Sequence, residues 1–226
     1  MWNVWKNFVS TGWLYLMIAI GVFMLVLLIK NWKKWSWLNR LGTMAVIVLV
    51  FHVWEEWVLP GGFHYIYNLG SEFPDRYPMN TLTDMITNLG GAVLGVVVLL
   101  VWGFRTESGI AIGIFSLFEF VIHIFLANRS LTEFSAMGQT AFYAPGLVTA
   151  TLGFLPLAIG YVIYFIKHKP KPNLRQWVGG IVALIGLSLL LVQLPEKILK
   201  DENSPYIFKD DGYYKQFITS EPRIGS

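Results

Sequence analysis

The sequence predicts an all-α integral membrane protein, a bundle of about six transmembrane helices. Three observations predict it. Of the 226 residues, 55% are hydrophobic and 14% charged, whereas soluble domains carry about 25% charged residues. Apolar stretches long enough to cross a bilayer, about 17–25 residues each, recur along the whole chain. The alternation of apolar and polar residues that marks membrane strands is absent, so helices must satisfy the backbone polar groups in hydrocarbon.

The spans fall near residues 11–29, 41–59, 84–104, 109–127, 143–167 and 176–194. The apolar run from Trp13 to Ile29 is too long for the core of a cleavable signal, so the first span is expected to be retained. The second span carries His52, Glu55 and Glu56, and it is counted despite them. Asp84 reads as the N-cap of the third span, serving its first-turn amides. Gly91 and Gly95 in the same span form a small-xxx-small pair suited to close helix packing. The fifth contains Pro145 and Pro156, which predict a kink in its middle. Residues 1–195 then form a single transmembrane helical domain, and 196–226 a polar C-terminal tail. Nine of the ten tryptophans, from Trp2 to Trp177, lie near proposed span ends, as interfacial anchors do.

Charge sets an orientation. The 30–40 connection holds Lys30, Lys33, Lys34 and Arg40, and the 168–175 connection with its edge holds Lys167, Lys169, Lys171 and Arg175. The 105–108 connection adds Arg105, while the 60–83 and 128–142 connections hold only Arg76 and Arg129. By the positive-inside rule the three basic connections are cytoplasmic, and both termini lie outside. The basic residues of the C-terminal tail dissent, but acidic residues are mixed among them.

Composition also excludes several functions. The absence of cysteine rules out disulfides, thiolate metal sites and cysteine nucleophiles. No phosphate-cradling glycine loop, serine nucleophile elbow or dinucleotide fingerprint is present. The basic residues flank spans and form no stripe, so no nucleic-acid partner is expected. The expected partners are the lipid bilayer and a lipid-like small molecule.

Polar residues in the spans point to a site. In "LVFHVWEEWVLPGGF", residues 49–63, His52, Glu55 and Glu56 stand at i, i+3 and i+4 and share one helical face. In "SLFEFVIHIFLANRS", Glu119 and His123 stand at i and i+4. With the orientation above, both groups reach the outer part of the bundle. Asp84, Asn88, Tyr143 and the loop residue His64 reach the same level. Three of the four histidines gather there; His168 lies in a basic loop where a solvated role suffices. A charge at the centre of a span costs about 2.5–3.5 kcal/mol on insertion scales. Buried acids and histidines in such numbers therefore imply pairing, metal binding or protonation of some acids. For any single residue, a cap, an ion pair with Arg76 or Arg129, or a hydrogen-bonded core histidine explains it equally well. The grouping favours a site.

The stretch His52-Val-Trp-Glu55-Glu56 resembles the motif that names the HXXEE-domain family of bacterial membrane proteins. The helical spans and chain length are similar to that family, and the resemblance covers about residues 41–165. Members carry a further Asn-x-x-x-His motif; the nearest counterpart here is Glu119-x-x-x-His123, with glutamate in place of asparagine. The resemblance implies a membrane enzyme, in a bacterial cytoplasmic membrane, and supplies no reaction.

The expected chemistry follows from the residue types. His52, Glu55, Glu56, Glu119 and His123 are the candidate ligands of a divalent metal, with zinc favoured, since two imidazoles, a carboxylate and an open position form a catalytic zinc site. Glu56 and Glu119 are the candidate catalytic carboxylates, and Asn88 and Tyr143 the candidate substrate contacts, Tyr143 also reading as an interface anchor. The leading expectation is a metal-dependent hydrolase acting on a lipid-like substrate at the outer leaflet. Two alternatives use the same residues. One is a metal-free acid–base isomerase or cyclase of an isoprenoid or sterol-like substrate. The other is a cation or proton transporter, which the absence of an internal repeat weakens.

Overall fold

Six helices of the computed structural model are long and apolar enough to span a membrane, and all of its regular structure is helical; it describes residues 2–218. In chain order the α-helices, the six long ones and two short ones, are α1 (Trp2–Asn31), α2 (Trp37–Trp57), the short α3 (Phe63–Tyr67), α4 (Thr81–Val101), α5 (Thr106–Met137), α6 (Leu147–Lys167), α7 (Leu174–Leu199) and the one-turn α8 (Lys215–Ile218). The six long helices make this a membrane protein.

Local chemistry sets the helix starts. Ser36 caps α2, its hydroxyl accepting from the Asn39 amide at 3.2 Å. Asn80 caps α4 by accepting from the Leu82 and Thr83 amides, while the Thr83 hydroxyl accepts from the Asn80 amide at 3.0 Å. This reciprocal box satisfies first-turn donors that would otherwise lack partners. The expectation that Asp84 caps this helix is therefore corrected: Asp84 lies one turn further in, buried. Pro145 lies ahead of α6, so only Pro156 acts within it. A π-turn at Ala150–Phe154 ends two residues before that proline, which cannot donate a helical hydrogen bond.

Helix α2 is the hub. It packs against α1, α4, α5 and α6, while α5 packs against α6 and α7. Met17, Val46, Val50, Val53, Met85, Ala92, Phe154 and Tyr161 belong to one buried apolar cluster. Lipid is as apolar as these side chains, so close contact, not exclusion from water, holds such helices together. Gly95 gives that closeness: a Cβ there would come within 2.4 Å of Val46 Cγ2. At Gly91 the nearest atom, on Leu49, would be 3.7 Å away.

The chain beyond α7 returns over one end of the bundle. Residues 196–199, expected in the tail, complete α7. Residues 200–218 then dock through Thr81 N to Tyr206 O (3.1 Å), Phe208 N to Asp75 O (2.8 Å) and Tyr213 N to Gly61 O (3.0 Å). The Tyr214 hydroxyl bonds the Ser130 hydroxyl at 3.0 Å. Buried His64, on α3, stacks on Phe208 with ring centroids 4.3 Å apart, and its Nε2 stands 3.6 Å from Asp211. Burial holds this imidazole below its ordinary pKa, against the pull of Asp211. The candidate residues lie at this same end, where α4 and α6 begin and α2 finishes.

Gly95→Leu should lower the thermal unfolding midpoint in detergent, at a cost of about 1–3 kcal/mol for overpacking. Gly91→Ala should be close to neutral. Equal effects from the two would contradict the assigned α2–α4 contact.

Candidate metal centre

Two helices each contribute one histidine and one glutamate. On α2, His52 and Glu56 stand one turn apart on the face toward α5; on α5, Glu119 and His123 do the same in return. His52 Nε2 lies 3.3 Å from Glu56 Oε1 and 3.7 Å from Glu119 Oε2. His123 Nε2 lies 3.4 Å from the same Glu56 oxygen and 3.7 Å from the same Glu119 oxygen. The rings meet edge to face, centroids 4.7 Å apart. The ligand atoms of His52, Glu56 and His123 all lie within 4.8 Å of one another, and all three residues are buried. The Glu119 side chain is the most accessible of the four, at 18%.

These separations have a physical meaning. A charge-assisted hydrogen bond between imidazolium and carboxylate would close to about 2.7–2.9 Å. Around a tetrahedral ion with bonds of about 2.0–2.2 Å, neighbouring ligand atoms stand about 3.3–3.6 Å apart. The two imidazole edges to Glu56, at 3.3 and 3.4 Å, have the second size, and the two to Glu119, at 3.7 Å, stand just beyond it. The group could hold a metal ion.

Glu55, expected among the ligands, faces elsewhere. Adjacent residues of a helix point in different directions, and Glu55 turns toward the start of α6. It accepts from the Tyr143 hydroxyl (3.0 Å), the Val148 amide (3.0 Å), and the Thr149 amide and hydroxyl (2.7 and 2.6 Å). With four donors on two oxygens it serves as an N-terminal cap supplied from another helix. The hydroxyl of Thr149 is also 2.9 Å from His52 Nδ1. No periodicity in the sequence marks Thr149, a small polar residue in an apolar run.

His123 is held by packing. Its Nδ1 finds no hydrogen-bond partner among the described residues, and its ring lies against Gly146. A Cβ there would come within 2.2 Å of the ring, and φ is +95°, a conformation side chains rarely adopt. Glycine is needed for both reasons. Phe63 from α3 covers the ring, centroids 5.7 Å apart.

The remaining candidates are near but otherwise engaged. Asn88 donates to the Asp84 carboxylate at 2.6 Å. Tyr143 lies in the loop before α6. Burial and the Glu55 charge push its phenol well up from the ordinary value, so it acts as a fixed donor to Glu55.

Residues 43–161, more than half of the chain, match the family model described as "Protein of unknown function with HXXEE motif". The chain belongs to this family. Neither a curated protein nor a solved structure matches it. In the HXXEE motif itself, His52 and Glu56 form the cluster with α5, while Glu55 supports the start of α6. Every candidate ligand, with Asn88, Tyr143 and Thr149, falls inside the matched region.

A centre of this kind predicts that added zinc raises the unfolding midpoint of the wild-type protein in detergent. At about a hundredfold over Kd the gain is about 2.7 kcal/mol. His52→Ala and His123→Ala should each remove most of the zinc-dependent shift while still folding. A shift that survives in both variants would place the zinc elsewhere.

Proposed function

We propose that this HXXEE protein is a metal-dependent membrane enzyme, a hydrolase of a lipid-like substrate, with His52, Glu56 and His123 as ligands and Glu119 as the proton-handling carboxylate. The observation that carries the reading is the buried trio in which both imidazole Nε2 atoms face one oxygen of Glu56, at 3.3 and 3.4 Å, among membrane-spanning helices. Two imidazoles and one carboxylate are the protein half of a catalytic zinc site, which keeps a position open. When bound, the ion would polarise a carbonyl or phosphoryl oxygen and acidify water. Glu119 accepts the proton of the attacking water and passes it to the departing oxygen as the bond to that oxygen breaks. Its greater accessibility fits this role.

The accessible side supports an apolar substrate. Glu119 is flanked on α5 by exposed Leu117, Phe118 and Val121, which in a membrane face acyl chains. A substrate arriving within the bilayer meets the carboxylate at the edge of the cluster. The uneven placement of lysine and arginine supports an orientation with the centre toward the outer leaflet and both termini outside.

Glu119→Gln tests the role assigned to that carboxylate. The variant should keep its metal and lose about 10²–10⁴-fold in turnover of a lipid ester or phosphoester panel. Full activity would remove Glu119 from the chemistry, and iron in the native protein would redirect the assignment from hydrolysis toward oxygen chemistry. Orientation has a separate test in this cysteine-free chain, at two exposed loop positions. In intact cells Glu72→Cys should react with an impermeant thiol reagent and Lys34→Cys should not; the reverse pattern would invert the molecule.

A further inference from the structure

We propose that Glu55 and Thr149 are positioning residues, a relay that holds the proton of His52 on Nδ1 and leaves Nε2 free to bind the cation. The inference goes beyond the metal-centre reading and rests on it only for its functional consequence. Its basis is donor and acceptor arithmetic. Thr149 has one hydroxyl proton, and that oxygen stands 2.6 Å from Glu55 Oε2 and 3.2 Å from the Gly146 carbonyl. Both of these are acceptors. The Glu55 carboxylate already receives the Tyr143 hydroxyl and the Val148 and Thr149 amides, so it has no proton to give. The Thr149 proton is committed outward on either choice. The remaining contact of that hydroxyl, to His52 Nδ1 at 2.9 Å, therefore runs from the imidazole N–H to the threonine oxygen.

The consequence falls at the other nitrogen. With Nδ1 carrying the proton, a neutral His52 presents a lone pair at Nε2, which looks at one oxygen each of Glu56 and Glu119, at 3.3 and 3.7 Å. Acceptors facing acceptors in a buried site need a cation between them. Metal-binding histidines use their second nitrogen in this way, donating to a partner that fixes ring and tautomer. Here the partner is a threonine oriented by a glutamate, and the same glutamate caps α6. The two adjacent glutamates of the motif thus have separate tasks: Glu56 meets the cation, while Glu55 ties the start of α6 to the orientation of His52.

Thr149→Val removes the hydroxyl at nearly constant volume and leaves Glu55 its three other donors. Thr149→Ser restores the hydroxyl and controls for folding. Two readouts separate this proposal from the metal-centre reading. In protein labelled with ¹⁵N-histidine, the His52 signals (assigned by their loss in His52→Ala) should show a protonated Nδ1 in the wild type and in Thr149→Ser. That preference should be lost in Thr149→Val. A His52 protonated only at Nε2 in the wild type would overturn the relay whether or not metal binds. Zinc affinity should fall about 10–100-fold in Thr149→Val and recover in Thr149→Ser. Unchanged affinity in Thr149→Val would also overturn it. A wild type that binds no zinc but shows the Nδ1 proton would sink the metal centre and leave the relay standing.

Discussion

Two carboxylates and two imidazoles share one buried volume between α2 and α5, and the start of α6 is built against that group. Each carboxylate is costly in a membrane span, by about 2.5–3.5 kcal/mol on insertion scales, and like charges brought together cost more. A cation among them would remove the conflict, and the spacing of 3.3–3.7 Å leaves room for one larger than a shared proton. The glycine at position 146 leaves room for the His123 ring, and the capped start of α6 reaches His52 through Thr149.

The two histidines are held by different means. His52 is oriented by a hydrogen bond to Thr149, and through it by Glu55. His123 is confined by the backbone of Gly146 and the ring of Phe63. An imidazole fixed by a hydrogen bond has a defined tautomer, and one fixed by packing has a defined position. The centre combines the two. The break before α6 is part of this arrangement, because the amides of Val148 and Thr149 are free to meet Glu55 only where the helix begins.

The fold was largely legible from composition. Six apolar runs of spanning length give six helices, and the i, i+4 spacing of His52–Glu56 and of Glu119–His123 put each pair on one face before their rotation was known. Boundaries were less legible where polar residues decide them. Asn80 takes the cap that Asp84 was expected to fill: its side chain accepts from the Leu82 and Thr83 amides, and the Thr83 hydroxyl accepts from its own amide. Glu55 and Glu56 could not be told apart by residue type; their roles follow from helix rotation and from which neighbour each meets. Thr149 and Gly146 carried no pattern at all, since their importance comes from contacts with residues nearly a hundred and more than twenty positions away.

The most direct test of the account is X-ray absorption, with metal quantified by elemental analysis, on the protein purified in mild detergent without added metal. The account predicts about one equivalent of a divalent metal, zinc foremost, with an all-nitrogen-and-oxygen shell, bonds of about 2.0–2.2 Å and imidazole scattering from two histidines. Metal-free protein that takes up no ion on titration, or a bound ion without histidine in its shell, would contradict it.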